Sequence, residues 1–407
     1  MWRFVLSKVS IVSCSNYELE LVKHSVRTCV DNLGGIKKFV YPGQKVLLKI
    51  NLLAGTPPEK AVTTHPAVVS ALAELVREAG AHPLVADSPG PVPYTTGGLK
   101  RVYRAAGFLE PEKQGVFELN WDTSVAGLSY NSGKIIKRFE VIKPVLDADV
   151  VIAVPKLKTH MFTTFTGATK ILFGVIPGFS KAGYHAKLQT GEQFAEMLLD
   201  IIGAVQPALF IMDGILALEG DGPGLHGQPR SVGVVLGASD PVAMDAAACK
   251  IIGINPLEVP MLRVAADRGW WDGNVDGNID GNNDSLEVVG EPLENVVVEG
   301  FKRPSHVARD ARGLDRLPWF KRIWSPVAKQ ALTPRPVPDG NRCTGCATCS
   351  RVCPQKAVTI FKGKAVVRDR ACIRCYCCHE MCPEAAVDLK YGLTGKVLYR
   401  LGLLGGT

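Results

Sequence analysis

Eight cysteines toward the C-terminal end carry the plainest chemistry in the chain. Cys343, Cys346, Cys349 and Cys353 are spaced C-x2-C-x2-C-x3-C and followed by Pro354; Cys372, Cys375, Cys378 and Cys382 repeat the spacing before Pro383. Two-residue gaps let one tight loop aim three thiolates at three corners of an iron–sulfur cube. The fourth cysteine, held by the turn before its proline, crosses to a second cube. On that rule Cys343, Cys346, Cys349 and Cys382 hold one 4Fe–4S cluster, and Cys372, Cys375, Cys378 and Cys353 hold the other. Paired C-x2-C also binds zinc, but duplicated triplets that each end in Cys-Pro speak against a zinc ribbon. Cys377 lies inside the second run but outside the ligand spacing, and reads as a small packing residue.

A second group is basic. Lys156, Lys158, Lys170 and Lys181, with His160 and His185, supply positive charge and protons within some thirty residues. Thr166 and Gly167 read as backbone N–H donors at a helix start, where anions are favoured. An anion such as a carboxylate or phosphate suits this set, held by Lys156 and Lys158, with His160 or His185 moving protons near neutral pH. Each lysine could equally be a solvated surface charge and each histidine a hydrogen-bonded structural residue. Their grouping beside glycines, threonines and a strand end favours a site.

The elements that must position these residues alternate along the first 300 positions, the pattern of an α/β domain. Residues 46–50, 84–86, 150–154, 209–212 and 232–236 read as strands. Pro66 starts a helix capped by Thr64 or His65 and closed by Gly80, and Asp240-Pro241 starts another that Gly253 ends. Asn51, Asp87, Lys156, Asp213 and Asp240 each follow a strand reading. If those strands are parallel, the residues gather beyond their carboxyl ends, where open α/β sheets bind ligands. The glycines of residues 214–227 match neither dinucleotide nor nucleotide loops and read as a mobile lid bearing Glu219 and Asp221. No flavin motif is present. Residues 272–281 superficially suggest calcium but lack the glutamate at loop position twelve, so they read as a polar loop.

Composition is that of a globular protein of 407 residues, 46% hydrophobic and 21% charged. No apolar run reaches the length of a membrane span and no signal peptide is read, which gives a cytoplasmic expectation. The net charge of +8 is concentrated: residues 301–335 hold nine Lys or Arg against two Asp. The rest is nearly neutral, which argues against a nucleic-acid binder. That connector contains Trp319, Phe320 and Trp324; it could meet a membrane surface or an acidic partner, and wrapping its own protein is the favoured reading. Nine of the twelve cysteines fall within residues 343–382, a density that reads as metal ligation.

At Asn51, Thr64-His65-Pro66, Asp87-Ser88-Pro89-Gly90, the lysine-rich loop, Asp213-Gly214 and residues 240–245 the chain resembles the ferredoxin-fused members of the family called domain of unknown function 362. A weaker likeness is to the N-terminal α/β domain of the lactate racemase group. The resemblance implies a two-part α/β domain with a ligand cleft over residues 1–300, a connector at 301–336, a two-cluster ferredoxin-like α+β domain at 337–392 and a tail at 393–407. It carries no established reaction. The expectation is an iron–sulfur oxidoreductase acting on a small anion in the cleft, its partner being that anionic substrate or a redox partner protein. The rivals are an electron carrier that only docks, and an accessory protein that reduces or matures a metalloenzyme.

Overall fold

The computed structural model describes residues 7–90, 92–188, 190–271, 286–305 and 333–392. The connector aromatics Trp319, Phe320 and Trp324, the loop 272–281 and the tail lie outside these residues.

Strand alternation decides the architecture. In β2 (Lys45–Ile50), Val46, Leu48 and Ile50 enter one hydrophobic cluster while Leu47 enters another. In β7 (Val150–Val154) and β10 (Leu209–Gly220) the same period of two sends Ile152, Val154, Leu209 and Ile211 one way, and Val151, Ala153, Phe210 and Met212 the other. Strands buried on both faces need helices on both faces. Helices α1 (Leu19–Asp31), α2 (Pro66–Glu78) and α3 (Thr96–Ala105) supply one layer.

The other cluster holds α7 (Gly191–Val205), α8 (Pro241–Ile251) and α9 (Pro260–Asp267). Short helices α4 (Leu109–Lys113), α5 (Pro144–Asp147) and α6 (Ser180–Lys187) complete the large domain. His65 caps α2, its Nδ1 accepting from the Ala67 N–H at 3.1 Å.

Among the described residues the large sheet has ten strands. Its main path places β12 (Leu286–Gly290), β1 (Ser7–Ser13), β11 (Gly227–Ala238), β10, β7, β2, β3 (His82–Ala86) and β4 (Glu118–Leu119) side by side. Strands β8 (Lys156–His160) and β9 (Thr164–Thr166) extend from β10, and β5 (Val125–Ser129) and β6 (Arg138–Ile142) form a separate hairpin. Strands β2, β3, β7 and β10 are parallel, so Asn51 and Asp87 do leave the sheet at one end.

Strand β11 runs antiparallel to its neighbours. Asp240 therefore sits at the opposite end, capping α8 and accepting from Ser7 Oγ at 2.6 Å, and belongs to no shared site. Strand β10 does not stop at Asp213 but runs on to Gly220 across a register shift.

The C-terminal domain is small. It pairs β13 (Arg335–Pro338) with β16 (Val387–Lys390), and β14 (Val358–Phe361) with β15 (Lys364–Val367). One-turn helices α10 (Thr348–Arg351) and α11 (Cys377–Glu380) follow the cysteine loops. The duplication extends to the backbone: left-handed residues fall at Gly345 and Arg374, at Ala347 and Tyr376, and at Lys356 and Ala385.

Candidate functional site

The two cysteine loops interlock. Cys343, Cys346, Cys349 and Cys382 line one cavity of about 310 Å³, and Cys353, Cys372, Cys375 and Cys378 line another of about 310 Å³. Backbone N–H groups point at the sulfurs: Ala357 donates to Cys353 Sγ at 3.1 Å, Ala386 to Cys382 Sγ at 3.2 Å and Ala365 to Cys343 Sγ at 3.4 Å. Among the described residues no three His, Cys, Asp or Glu side chains converge on a single ion. The cysteines ring a space rather than a point, and such N–H donors suit the negative charge of cluster-bound sulfur.

The second α-helical loop of this domain also forms a wall of something larger. A cavity of about 770 Å³, measured to its open mouth, lies where β2 and β3 end. Cys377, Glu380 and Met381 close one side, and Asn51, Asp87, Lys158, Thr166, Lys170, Lys181 and His185 line the rest among apolar Leu53, Phe173 and Phe179. Contact between the domains is close. A Cβ on Gly224 would lie 2.5 Å from the Glu380 carbonyl oxygen, and one on Gly90 2.5 Å from Met381 Cε. His226 stacks on His379 with centroids 3.8 Å apart, and Met161 packs with Tyr376 and Leu389.

The cavity is rich in amines that lack carboxylate partners. Lys158 Nζ donates to Asn51 Oδ1 at 2.8 Å and Val62 O at 2.9 Å, and Lys181 Nζ to the carbonyls of Ser88 and Ile176, each at 2.6 Å. The Lys170 side chain makes no hydrogen bond or ion pair among the described residues, and its Nζ sits 5.8 Å from the Phe173 ring centroid. Burial pushes Lys158 and Lys170 below the usual lysine range and Lys181 down to about 7. Thr166 Oγ1, His185 Nδ1 and Glu380 Oε1 are buried without a hydrogen-bond partner. Orphaned polar atoms around one cavity are what a polar ligand would satisfy.

Comparisons with known proteins agree with these two parts. Residues 46–250 match the family described as Domain of unknown function (DUF362), and residues 335–383 match the 4Fe-4S dicluster domain. A thylakoid-associated protein of Synechocystis sp. is 37% identical over 334 residues, an alignment covering 81% of this chain and 98% of that one. The chain belongs to the DUF362 family. Its dicluster domain makes it an iron–sulfur protein of the electron-transfer kind.

Among solved structures, the lactate racemase apoprotein from Thermoanaerobacterium thermosaccharolyticum aligns at TM-score 0.39 and 13% identity, over 61% of this chain and 57% of that one. A Thermotoga maritima protein aligns at TM-score 0.34 and 13% identity, over 56% and 57%. Both likenesses are too loose to carry an argument.

The DUF362 chain departs from the sequence reading at several residues. Lys156 and Asp213 do not line the cavity. Lys156 Nζ donates to Asp213 Oδ2 and to Tyr17 Oη, each at 2.8 Å; Tyr17 donates to Asp213 Oδ1 at 2.8 Å and stacks on His65. This fully paired network ties the loop before α1 to β8, β10 and α2. Thr166 and Gly167 do not open a helix. The N–H groups just beyond, of Ala168 and Thr169, donate to the buried Asp245 carboxylate at 2.6 and 2.8 Å, so the anion there belongs to the chain itself. Gly167 has no room for a side chain, since its Cβ would lie 2.1 Å from Asp245 Oδ1.

Neither histidine is a solution-like proton donor. His160 is wholly buried; its Nδ1 accepts from the Phe162 N–H at 3.1 Å and its Nε2 faces Glu380 Oε1 at 3.6 Å. Burial drives its pKa well below normal, and His185, stacked on Phe194, is lowered to about 3. Asp87 lines the cavity, yet its carboxylate is already shared by the buried Lys49 ammonium at 3.0 Å and the N–H groups of Leu52 and Ser88. Glu219 and Asp221 turn away, accepting from the backbone N–H of Lys302 and Ser305 at 2.9 and 2.7 Å; only Pro223 of that hairpin reaches the cavity.

Residues 156–160 were read as a polar stretch after a strand, and they are a buried strand. Sequence reasoning missed Lys49, Glu380 and Met381, and placed Cys377 in packing rather than on the cavity wall.

Proposed function

We propose that this DUF362 protein passes electrons through two 4Fe–4S clusters to or from a small anionic substrate held in the cavity between its two domains. One observation carries the reading: Cys377, Glu380 and Met381, neighbours of Cys375 and Cys378, form a wall of the same cavity that Lys158, Lys170 and Lys181 line. The clusters supply one-electron chemistry. The chain's own residues bind and orient: Lys158 and Lys170 hold the anionic group, and Phe173 and Phe179 hold its apolar body. Thr166 Oγ1 and His185 Nδ1 complete its hydrogen bonds. Protons come from Lys181, moved by burial to about 7, rather than from the neutral His160 and His185.

No helix among the described residues is long and apolar enough to cross a membrane, and we read the protein as peripheral on the cytoplasmic side, in keeping with its thylakoid-associated relative. The test is reoxidation. Anaerobic protein reduced with dithionite and freed of excess reductant is mixed with small carboxylic acids and phosphate esters, and the visible absorption is followed. At least one compound should restore the oxidised spectrum, and Lys170→Ala should slow it by roughly 10² or more. A panel that neither binds nor reoxidises the protein returns the function to a carrier that only docks.

A further inference from the structure

The two cysteine cavities differ in what they face. Cys377 and Glu380, beside ligand positions of the second cavity, look into the domain junction, whereas Cys346 of the first cavity is exposed. The surface around Cys346 has a character of its own. Residues 342–371 hold seven Lys or Arg against one acidic residue, Asp369. That carboxylate is paired with Arg374, and Arg342 is paired with Asp339 and Asp388.

Arg351, Lys356, Lys362, Lys364 and Arg368 are exposed and have no ion pair among the described residues. Two of them hold the loop: Arg351 donates to the Cys346 carbonyl at 3.1 Å and Lys364 to the Cys343 carbonyl at 2.7 Å. Arg368 reaches the Lys356 carbonyl at 2.7 Å. At the tip of the β14–β15 hairpin Phe361 is 64% exposed, with Lys362 Nζ 5.6 Å from its ring centroid, and Val366 is 44% exposed.

We infer that this face is the docking surface for an acidic electron-carrier protein. An unpaired basic ring around an exposed apolar anchor is the complement of an acidic protein rim with an apolar centre. Its position over the outward cysteine loop puts the carrier where an electron can enter. In the reducing direction the carrier would give up one electron and be oxidised, and Cys343, Cys346, Cys349 and Cys382 would hold the group that takes that electron up. An anionic membrane would also be drawn by the charge, but it offers no electron and gains nothing from the adjacency to Cys346. The inference extends the electron-transfer reading and does not depend on which substrate the cavity takes.

The experiment measures binding, with oxidised plant-type ferredoxin as the acidic probe and iron-loaded protein on the sensor. Affinity should fall as salt rises from about 10 mM to about 0.3 M. Lys356→Glu with Lys362→Glu should weaken it by about tenfold or more at low salt, and Phe361→Ser should weaken it without changing the salt slope. The same charge change placed elsewhere, Lys100→Glu with Lys137→Glu, should leave affinity intact, as should Lys170→Ala in the cavity.

Equal losses from both charge-reversed pairs would overturn the docking surface. So would no ferredoxin binding alongside binding to phosphatidylcholine–phosphatidylglycerol vesicles that the Lys356/Lys362 pair abolishes. Normal probe binding with no substrate-dependent reoxidation would sink the cavity reading and leave this one standing.

Discussion

A lysine buried without a carboxylate is expensive, and this cavity holds two such amines, Lys158 and Lys181, with the half-buried Lys170 beside them. Taking an ammonium out of water costs several kcal/mol unless something compensates, and here the partners are carbonyls and an amide oxygen. A bound anion would supply the missing charge. The pH dependence follows from Lys181. With its pKa lowered to about 7, the amine is charged below that pH and neutral above it. That loss of positive charge disfavours an anion as pH rises. His185, lowered to about 3, stays neutral throughout. Sulfate, which does not titrate here, should therefore bind more weakly at pH 8.5 than at pH 6, by roughly tenfold if one charge contact is lost. Lys181→Met should bind weakly and flatly across that range when followed by calorimetry. An unchanged slope would place the titrating group elsewhere. Much of this was legible, because lysines and histidines crowded near a strand end stand out. What hid Asp245 is that it comes from 77 positions along the chain to fill the N–H groups of Ala168. Lys49 hid because a lone lysine in a strand looks like an edge residue until both faces are seen to be covered.

Strand positions were readable because fully buried parallel strands are short apolar runs, and residues 150–154 coincide with β7. Direction was not readable, since period-two patterning is the same for parallel and antiparallel neighbours; hence Asp240 was placed at the wrong end of the sheet. Nor was the reach of β10 past Asp213, where glycine suggested a stop but a register shift lets pairing with β11 continue. The hairpin between these strands then does what no local pattern announces: it carries Gly224 against the ferredoxin domain. A Cβ there would meet the Glu380 carbonyl at 2.5 Å, whereas one on Gly97 would meet nothing within 4 Å. Overpacking of this kind costs about 1–3 kcal/mol, enough to loosen a domain contact while leaving each domain folded. Gly224→Ala should therefore expose Cys377, 4% accessible in the docked state, to alkylation by iodoacetamide, read by mass spectrometry, with iron content unchanged. Gly97→Ala should leave it protected. Equal protection in both variants would mean that the interface tolerates the methyl group and that Gly224 does not set the docking distance.

At the scale of the molecule, two α+β and α/β parts share one cavity, and the arrangement assigns different duties to cysteines that look alike in the sequence. The duplicated runs made the eight ligand positions conspicuous, because spacing is local and survives without knowledge of the fold. The duty of Cys377 was invisible for the opposite reason: its surroundings come from Thr166, Lys170 and His185 in the other domain. Iron analysis separates the two cases. The native chain should hold about eight iron and eight acid-labile sulfide. Cys346→Ala and Cys375→Ala each remove one corner of a different four-cysteine cavity, so each should lose about half of the iron. Cys377→Ala removes a thiol outside the ligand spacing, whose Sγ lies 3.9 Å from the Cys375 carbonyl and beside the Cys375 sulfur, so it should keep all the iron and alter binding in the cavity. Equal iron loss from Cys375→Ala and Cys377→Ala would show that the second loop uses a different register. One or two zinc per chain without sulfide would overturn the cluster assignment, and with it the path from the exposed Cys346 loop to the buried cavity.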